Sequence, residues 1–455
     1  MKFSPLAVLG LVLATSPLAR AQFDYTITDN SATITDYTGP GGSVVVPATL
    51  GGVPVVSIGP DAFVLATAVT SILIPASVTN IESGAFSFCT SLSAINVNPA
   101  NTWFASIGGV LYDHAGVTLI QYPGGLTGNF TIPNGVTAIA SYAFYGDRIS
   151  GVTIAASVNN IGASAFGACL RLNNINVNPG NGSFTSVDGV LFDYNQSTLI
   201  QYPGNLPGAY AIPGTVTTVG DYAFEGCHAL TSVAIPASVN NLGQQPFFNC
   251  VSLKAVNVDP GNLVFSSING VLFDHAQTTL LYFPAGLTGS YVVPAGVASI
   301  GPEAFNYSPL ANVTFPASLT SIQFGAFAFC QNLLTATFLG DLPTFDDTAF
   351  EGDSGLQFYY LSQARGWTSP LYGVPALIWN PVIQTTASSP ALVNTNFGFT
   401  ITGTSNLYVS VQSTTNLASG PWQTLQTITL TNGSVNFNAP ASASTPGAFF
   451  RLSTP

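Results

Sequence analysis

The dipeptide Ala-Phe, or a close variant of it, recurs at regular spacing along this chain. The gaps between successive copies alternate between about 23 and about 58 residues, and one more short gap ends the series. The phenylalanines are Phe63, Phe86, Phe144, Phe166, Phe224, Phe247, Phe305, Phe327 and Phe350. A unit of about 23 residues thus alternates with the same unit carrying about 35 more, which gives a super-repeat of about 80 to 81 residues. Apolar residues at fixed offsets in such short units are covered only when the units stack. The repeat therefore predicts a solenoid.

Each short unit contains one alternating apolar run that predicts a strand with one buried face. Leu230–Ile235 is such a run, and Pro236 ends it because proline cannot donate to a sheet ladder. The same Pro-Ala-Ser block follows the strand at 74–78, 235–239 and 315–319, whereas the second copy has Ala155 in place of the proline. The strand and its end are therefore part of the repeat.

The longer units carry an insert that is itself repeated. Residues 110–123, 190–203 and 271–284 match closely, and each predicts a β-hairpin. Residues 25–38 resemble the same hairpin ahead of the first unit. We expect that copy to cap the first coil.

These motifs resemble those of the BspA-like leucine-rich repeat family. The pattern Leu-x-x-Val-x-Ile-Pro-x-Ser-Val, then Ala-Phe, then Cys-x-x-Leu is typical of that family, as is the insert at 106–123. The likeness extends over roughly residues 44–375. It implies a mainly β fold, a leucine-rich-repeat solenoid with inserted β-hairpins, in an extracellular or surface protein used for binding or adhesion. The family motif contains no catalytic residue, so the resemblance implies none in this chain.

After Phe350 the repeat stops and the sequence changes character. Five acids end the array, and because they lack the spacing of a cation-binding loop they predict a solvated end cap: Asp341, Asp346, Asp347, Glu351 and Asp353. Residues 359–379 predict a terminal strand pair that shields the last coil. Short alternating strands further on predict a small β-sandwich, with strands over 397–401, 407–412, 422–430, 434–438 and 448–452. Through its motifs at 413–417, 421–422 and 449–452, the tail resembles C-terminal β-modules of large secreted bacterial proteins.

The predicted domain organisation has five parts. Residues 1–21, with Lys2, an apolar core and the small-x-small site at 19–21, predict a secretory signal peptide. The rest is predicted as an N-terminal hairpin cap over 22–52, the solenoid over 53–375, a linker over 376–391 and the C-terminal β-sandwich module over 392–455. The mature protein is expected outside the cell or on its surface.

The charge balance argues against two classes of partner. Cleavage after residue 21 leaves 5 basic residues against 19 acidic ones, a net charge of about −14. Nucleic acids and anionic membranes bind proteins mainly through clustered Lys and Arg side chains. We therefore expect neither as a partner. Although the mean hydropathy is +0.42, no later stretch approaches the roughly 18 apolar residues of a membrane span. We expect no membrane insertion of the mature chain.

The candidate chemical groups are few, and most of them follow the repeat. Asp113, Asp193 and Asp274 recur at one position of the inserts, where an aspartate accepts backbone N–H bonds in a turn. His114 and His275 follow two of them, and His228 stands alone and is expected at the surface. No HExxH, GxSxG, CxxC or phosphate-loop pattern occurs. The sequence therefore predicts no enzyme, cofactor or metal site.

Four of the five cysteines also follow the super-repeat. Cys89, Cys169, Cys250 and Cys330 lie one super-repeat apart, which is too far along a solenoid for pairing among themselves. Cys227 lies one short unit before Cys250, so neighbouring coils bring these two within disulfide range. Equivalent side chains of stacked coils point in parallel, however, which favours small buried thiols. Both alternatives stay open.

Three functional classes remain. The first is a non-catalytic binding or adhesion protein for extracellular proteins or glycans, and the second is a structural component of the cell envelope. The third, a polysaccharide-active β-solenoid enzyme, would need clustered carboxylates or basic groups, but the basic residues are scattered: Arg148, Arg171, Lys254, Arg365 and Arg451.

If glycans bind, exposed aromatic side chains would carry the contact. The candidates are Trp103, Trp422, Tyr122, Tyr202 and Phe283. A core role competes with this one, because the last three would pack the hairpins and Trp422 would fill the sandwich. The sequence assigns no binding residue.

Overall fold

A computed structural model of the chain describes residues 22–384, 391–393, 396–405, 407–417, 420–439 and 448–453. The predicted signal peptide lies outside the described residues. Within them every regular element is a β-strand, which confirms the predicted mainly β fold. In this part of the chain no helix has the length and hydropathy that a membrane span requires.

The chain divides into two compact units. The described residues up to Leu230 form the first unit together with Ser238–Val251. The second unit contains Thr231–Ala237 and the described residues from Ser252 onward. The boundaries of these two units differ from the predicted domain boundaries. The predicted domain organisation stays a prediction.

Eight strands precede the first insert: β1 Phe23–Thr28, β2 Ser31–Tyr37, β3 Gly42–Val45, β4 Thr49–Leu50, β5 Val53–Ile58, β6 Val69–Ile74, β7 Asn80–Ile81 and β8 Ala94–Val97. The first insert and the coils after it contain β9 Phe104–Ile107, β10 Val110–Asp113, β11 Thr118–Gln121, β12 Gly128–Thr131, β13 Ala138–Ile139, β14 Ile149–Ile154, β15 Asn160–Ile161 and β16 Asn174–Val177. Strands β1 and β2 form an antiparallel hairpin, as predicted for this region.

The second and third inserts repeat this order. The second block contains β17 Phe184–Val187, β18 Val190–Asp193, β19 Thr198–Gln201, β20 Gly208–Ala211, β21 Thr218–Val219, β22 Leu230–Ile235, β23 Asn241–Leu242 and β24 Ala255–Val258. The third contains β25 Phe265–Ile268, β26 Val271–Asp274, β27 Thr279–Tyr282, β28 Gly289–Val292, β29 Ser299–Ile300, β30 Leu310–Phe315, β31 Ser321–Ile322, β32 Thr335–Phe338, β33 Thr344–Phe345, β34 Gln357–Tyr360 and β35 Ala376–Ile378.

Successive coils stack through two sets of parallel strands. In one set β14 pairs with β16, with Val152 opposite Ile175. In the other set the two-residue strand β13 pairs with β15, with Ile139 opposite Ile161. Val152, Ile175 and Ile139 are fully buried. Stacking thus covers apolar side chains that a single coil would leave exposed, which confirms the predicted solenoid.

Each insert adds a third coil to its super-repeat. The predicted pairing of β10 with β11 is present and antiparallel. Strand β9, which was not predicted, pairs with the other edge of β10. Strand β11 then joins the coil ladder by pairing in parallel with β13. The insert is therefore both a surface hairpin and one step of the solenoid.

Aromatic rings stack in the interior of the coils in runs of two to four, and we call these rings together the ring column. The Ala-Phe rings stack there, and the inserts supply one ring to each super-repeat: Tyr122, Tyr202 and Phe283. Within each run, neighbouring centroids are 4.4–5.3 Å apart. This spacing is close to the roughly 4.8 Å between strands. One ring per coil therefore keeps the stack in register with the backbone.

The turn after each Ala-Phe requires a left-handed backbone. The second residue after the phenylalanine has a φ between 53° and 79° in all nine copies, at Leu65, Phe88, Gly146, Ala168, Gly226, Asn249, Tyr307, Phe329 and Gly352. Glycine adopts this conformation without the steric cost that a Cβ atom imposes on other residues. At Gly146 space also matters, because a Cβ atom would lie 2.4 Å from the ring of Phe88.

The C-terminal region forms two small antiparallel sheets. Its strands are β36 Val382–Ile383, β37 Ala391–Val393, β38 Asn396–Thr402, β39 Leu407–Thr414, β40 Gln423–Leu430, β41 Ser434–Asn438 and β42 Phe449–Ser453. One buried cluster contains Phe399 and Phe437 of one sheet and Val409 and Val411 of the other. A core shared between two sheets is that of a small β-sandwich, as predicted.

This module packs against the last coils of the second unit. Tyr359 of β34 belongs to the buried cluster of the module, and Leu377 and Trp379 pack against it. The predicted linker over 376–391 contains strand β35, which pairs with β34, and strand β36, which pairs with β38. Residues 376–378 and 382–383 of the predicted linker therefore take part in strand pairing.

Candidate functional site

The repeated aspartates hold the turns of the inserts. Asp113 accepts hydrogen bonds from the backbone N–H groups of Val117 and Thr118, at 2.8 and 3.0 Å. Asp193 accepts one from Thr198 N–H, and Asp274 accepts two such bonds in the third insert. The predicted scaffold role of these aspartates is confirmed.

A buried asparagine anchors the start of each insert. The Nδ2 group of Asn181 donates to the carbonyls of Ala155 and Val158, and its Oδ1 accepts from the N–H groups of Ser183 and Phe184. Asn101 makes the equivalent four bonds in the first insert, and Asn262 occupies the position in the third. This column of asparagines was not predicted, although its members lie one super-repeat apart in the sequence.

The anchored end of each insert exposes apolar and aromatic side chains to solvent. We call this end the rim and define it as residues 102–103 and 114, 182–183 and 194, and 263–264 and 275. Backbone hydrogen bonds join the two segments of each rim; for example, the N–H group of His114 donates to the carbonyl of Trp103 at 2.8 Å. Trp103 is 57% exposed, Tyr194 59% and Leu263 81%. The scaffold is repeated, whereas the rim side chains differ between inserts, except that His114 and His275 match.

The histidines fall in two environments. His114 and His275 are exposed on the rims of the first and third inserts. His228 is half-buried rather than exposed, and this corrects the expectation of a surface position. Burial lowers the pKa of His228, against a hydrogen bond with Asn249 that favours the charged form.

The aromatic candidates separate into core and surface. Tyr122, Tyr202 and Phe283 are buried in the ring column, which confirms their core role. Trp103 lies on a rim. Trp422 is half-buried and lies outside the sandwich core, where its ring contacts the guanidinium of Arg451. The expectation that Trp422 fills the sandwich is therefore wrong, because the interior is already occupied by side chains of the paired strands.

All five cysteines are buried free thiols. Each donates a hydrogen bond to a backbone carbonyl of the preceding coil, as Cys250 does to Phe224 O at 3.0 Å. Cys227 donates to Tyr202 O at 3.6 Å. Burial raises the pKa of Cys89 and that of Cys330 to about 12. These thiols serve packing rather than redox or metal chemistry.

Two acids of the first unit are buried in coil turns. Burial raises the pKa of Asp147 well above its ordinary value, and no described residue donates to either of its carboxylate oxygens. Glu225 accepts a hydrogen bond from the hydroxyl of Tyr145 at 2.5 Å. Burial also raises the pKa of Glu225, against the lowering effect of this bond. Asp147 and Cys169 occupy the same position of consecutive coils, three residues after the phenylalanine.

The acids that end the array do not converge on one point. Asp346, Asp347 and Glu351 are exposed, whereas Asp353 is half-buried. Asp353 lines a pocket of about 370 Å³ with Gln357 and Tyr408. Among the described residues, no three His, Cys, Asp or Glu side chains lie close enough together to hold a metal ion.

The chain matches the model of the BspA type leucine rich repeat region. The matched segments are residues 56–127, 122–208, 208–291 and 283–364. No curated protein matches.

Several solved structures resemble the chain. A leucine-rich cell surface protein from Faecalibacterium prausnitzii is 26% identical, with 74% of this chain and 96% of that chain covered and a TM-score of 0.36. A leucine-rich repeat protein from Eubacterium ventriosum is 22% identical, with 78% and 96% covered and a TM-score of 0.41. The pneumococcal vaccine antigen PcpA is 19% identical, with 74% and 80% covered and a TM-score of 0.32. All three TM-scores are below 0.5, and the family assignment depends on the repeat match over residues 56–364 alone.

Proposed function

Because the chain belongs to the BspA-type leucine-rich repeat family, we propose that it is a secreted or cell-surface, non-catalytic binding protein whose insert rims contact extracellular proteins or glycans. The exposure of Trp103, Tyr194 and Leu263 on three equivalent rims carries this proposal. Large exposed apolar side chains at one end of a repeated scaffold favour contact with a partner.

The rims combine a fixed backbone with variable side chains. The buried asparagine and the turn aspartate both hydrogen-bond to backbone groups at the rim end of each insert. Such preorganisation reduces the entropy lost when a partner binds. The side chains that meet the partner are then free to differ, as Trp103, Ser183 and Val264 do at one rim position. This separation of scaffold from contact surface supports recognition rather than catalysis.

A triple variant tests the proposal. We would compare the parent with Trp103→Ala, Tyr194→Ala and Leu263→Ala combined, against immobilised panels of extracellular proteins and glycans. The matched control combines Ile27→Ala, Val45→Ala and Val292→Ala, which also removes three exposed apolar side chains but lies outside the inserts. We expect saturable binding that the rim variant weakens at least tenfold, about 1.4 kcal/mol, and that the control leaves unchanged.

Three results would contradict the proposal. Equal binding by the rim variant and the parent would remove the rims from the contact surface. Absence of binding in both panels, together with concentration-dependent assembly in sedimentation, would favour the alternative of a structural component of the cell envelope. Turnover of a polysaccharide by the parent protein would contradict the non-catalytic role.

A further inference from the structure

One cation stands alone in the C-terminal module. Arg451 is the only charged side chain in residues 366–455, and it is exposed on strand β42. It has no carboxylate side chain as a partner within that part of the sequence, so it does not serve an ion pair between side chains of the module. A lone exposed cation on an otherwise uncharged surface is available for an anion from outside.

The surrounding side chains hold the guanidinium of Arg451 in place. Its Cζ atom lies 4.4 Å from the ring centroid of Trp422, within cation–π range. Its Nε group donates to Gln412 Oε1 at 2.8 Å. The amide of Gln412 is fixed in turn, because its Nε2 group donates to Thr424 Oγ1 at 3.1 Å. Register supports this arrangement, since Gln412 lies opposite both Arg451 and Thr424.

This geometry leaves the end of the guanidinium available. The Nε group is occupied, whereas no described residue accepts a hydrogen bond from the two Nη groups. Two coplanar Nη donors match the two oxygens of a carboxylate. Because Trp422 and Gln412 already hold the side chain, a ligand would cost less side-chain entropy than at a mobile arginine.

We propose that Trp422, Arg451, Gln412 and Thr424 form a binding site for the carboxylate of a uronic acid unit in an acidic polysaccharide. One guanidinium can pair with one carboxylate, whereas sulfated or phosphorylated polymers bind most strongly to several clustered cations. An aromatic ring beside uncharged hydroxyl and amide groups suits the C–H and O–H groups of a sugar. The net charge of −12 for the full chain opposes non-specific attraction of polyanions, so binding would depend on this local contact.

This site is independent of the insert rims. The rim variant with Trp103, Tyr194 and Leu263 replaced is expected to keep its binding of acidic polysaccharide. Failure of one proposal can therefore be distinguished from failure of the other.

Affinity electrophoresis and calorimetry with polygalacturonate test the site. We expect the purified protein to bind polygalacturonate and to bind its methyl-esterified form at least tenfold more weakly, because esterification removes the charge and keeps the sugar. Arg451→Gln should weaken binding at least tenfold. Arg451→Lys should weaken it several-fold, because an ammonium cannot make the planar two-point contact. Trp422→Ala should weaken it as well.

The matched control is Arg365→Gln, which removes the same charge outside the module and should bind as the parent does. Thermal melting must show that Arg451→Gln and Arg451→Lys fold like the parent. Equal binding of the esterified polymer, equal binding of poly-glutamate, equal losses in Arg451→Gln and Arg365→Gln, or no binding of polygalacturonate would each overturn the proposal.

Discussion

The thiol of Cys169 donates a hydrogen bond to the backbone carbonyl of Phe144, 2.9 Å away. The same relationship joins Cys89 to Phe63 and Cys330 to Phe305, at 3.1 and 3.0 Å. In each pair the acceptor is the column phenylalanine one coil earlier. The thiol therefore satisfies a backbone group in the interior turn while adding little volume, which explains why cysteine follows the repeat so closely.

This arrangement predicts how the thiols react. We expect no modification of the native protein by a thiol reagent, because burial both shields the sulfur and raises its pKa, as it does for Cys330 to about 12. After unfolding in denaturant without reductant, all five cysteines should react. Recovery of only three reactive thiols would instead indicate a disulfide between Cys227 and Cys250.

The ring column should contribute strongly to stability. Phe224 stacks between Tyr202 and Phe247, with centroids 5.2 and 5.3 Å away, and it is fully buried. Phe224→Ala should destabilise the fold by roughly 3–5 kcal/mol in urea unfolding monitored by circular dichroism. Tyr194→Ala, which removes an exposed aromatic ring from a rim, should cost less than about 0.5 kcal/mol. Similar losses in the two variants would contradict a structural role for the column.

The sequence alone predicted much of this architecture, because stacking requires apolar residues at regular offsets. The repeat of Ala-Phe predicted the coils, and the strand predicted at 434–438 has those limits in the structure. The inserts were predicted as hairpins only. That each insert also supplies a ring to the column was not predicted, although Tyr122 precedes Phe144 by the length of one short unit and this spacing is the signal for it.

Other features depend on contacts that a linear pattern does not contain. Phe358 packs in the core of the last coils, yet the side chain of the adjacent Tyr359 enters the core of the C-terminal module. Trp422 has the size and apolarity of a core residue, yet it packs beside Arg451. Both outcomes depend on which sheet face another segment covers, and residues far apart in sequence decide this.

Stability should depend on pH through Asp353. Burial raises the pKa of Asp353 to about 7, against a weaker opposing hydrogen bond from the backbone of Cys330, whereas an unfolded chain has a value of about 4. The folded protein thus retains a proton that the unfolded chain releases. This contribution to stability is full below about pH 4 and is lost as the pH rises to about 7. Asp353→Asn should therefore gain stability relative to the parent, by a few degrees of melting temperature, between pH 4 and pH 8.

Asp346 provides a control of opposite sign. Hydrogen bonds from the hydroxyl and the N–H group of Thr348 lower the pKa of Asp346, so its contribution is present above about pH 4 and is lost as the pH falls through the folded value. Asp346→Asn should lose a little stability relative to the parent at pH 8 and none at low pH. Identical pH profiles for the two variants would contradict the burial argument for Asp353.

The asparagine anchor should control the local stability of an insert. Asn181 is buried and makes four hydrogen bonds of 2.8–2.9 Å to backbone groups. Asn181→Ala leaves these groups without that partner, and each unsatisfied buried group costs about 1–3 kcal/mol. Asn129→Ala is the matched control, because Asn129 is exposed and its Oδ1 accepts a longer hydrogen bond of 3.4 Å from the hydroxyl of Ser150. Limited proteolysis and hydrogen exchange should show faster opening over residues 182–203 in Asn181→Ala alone. Equal protection in both variants would mean that strand pairing, rather than the asparagine, holds the insert in place.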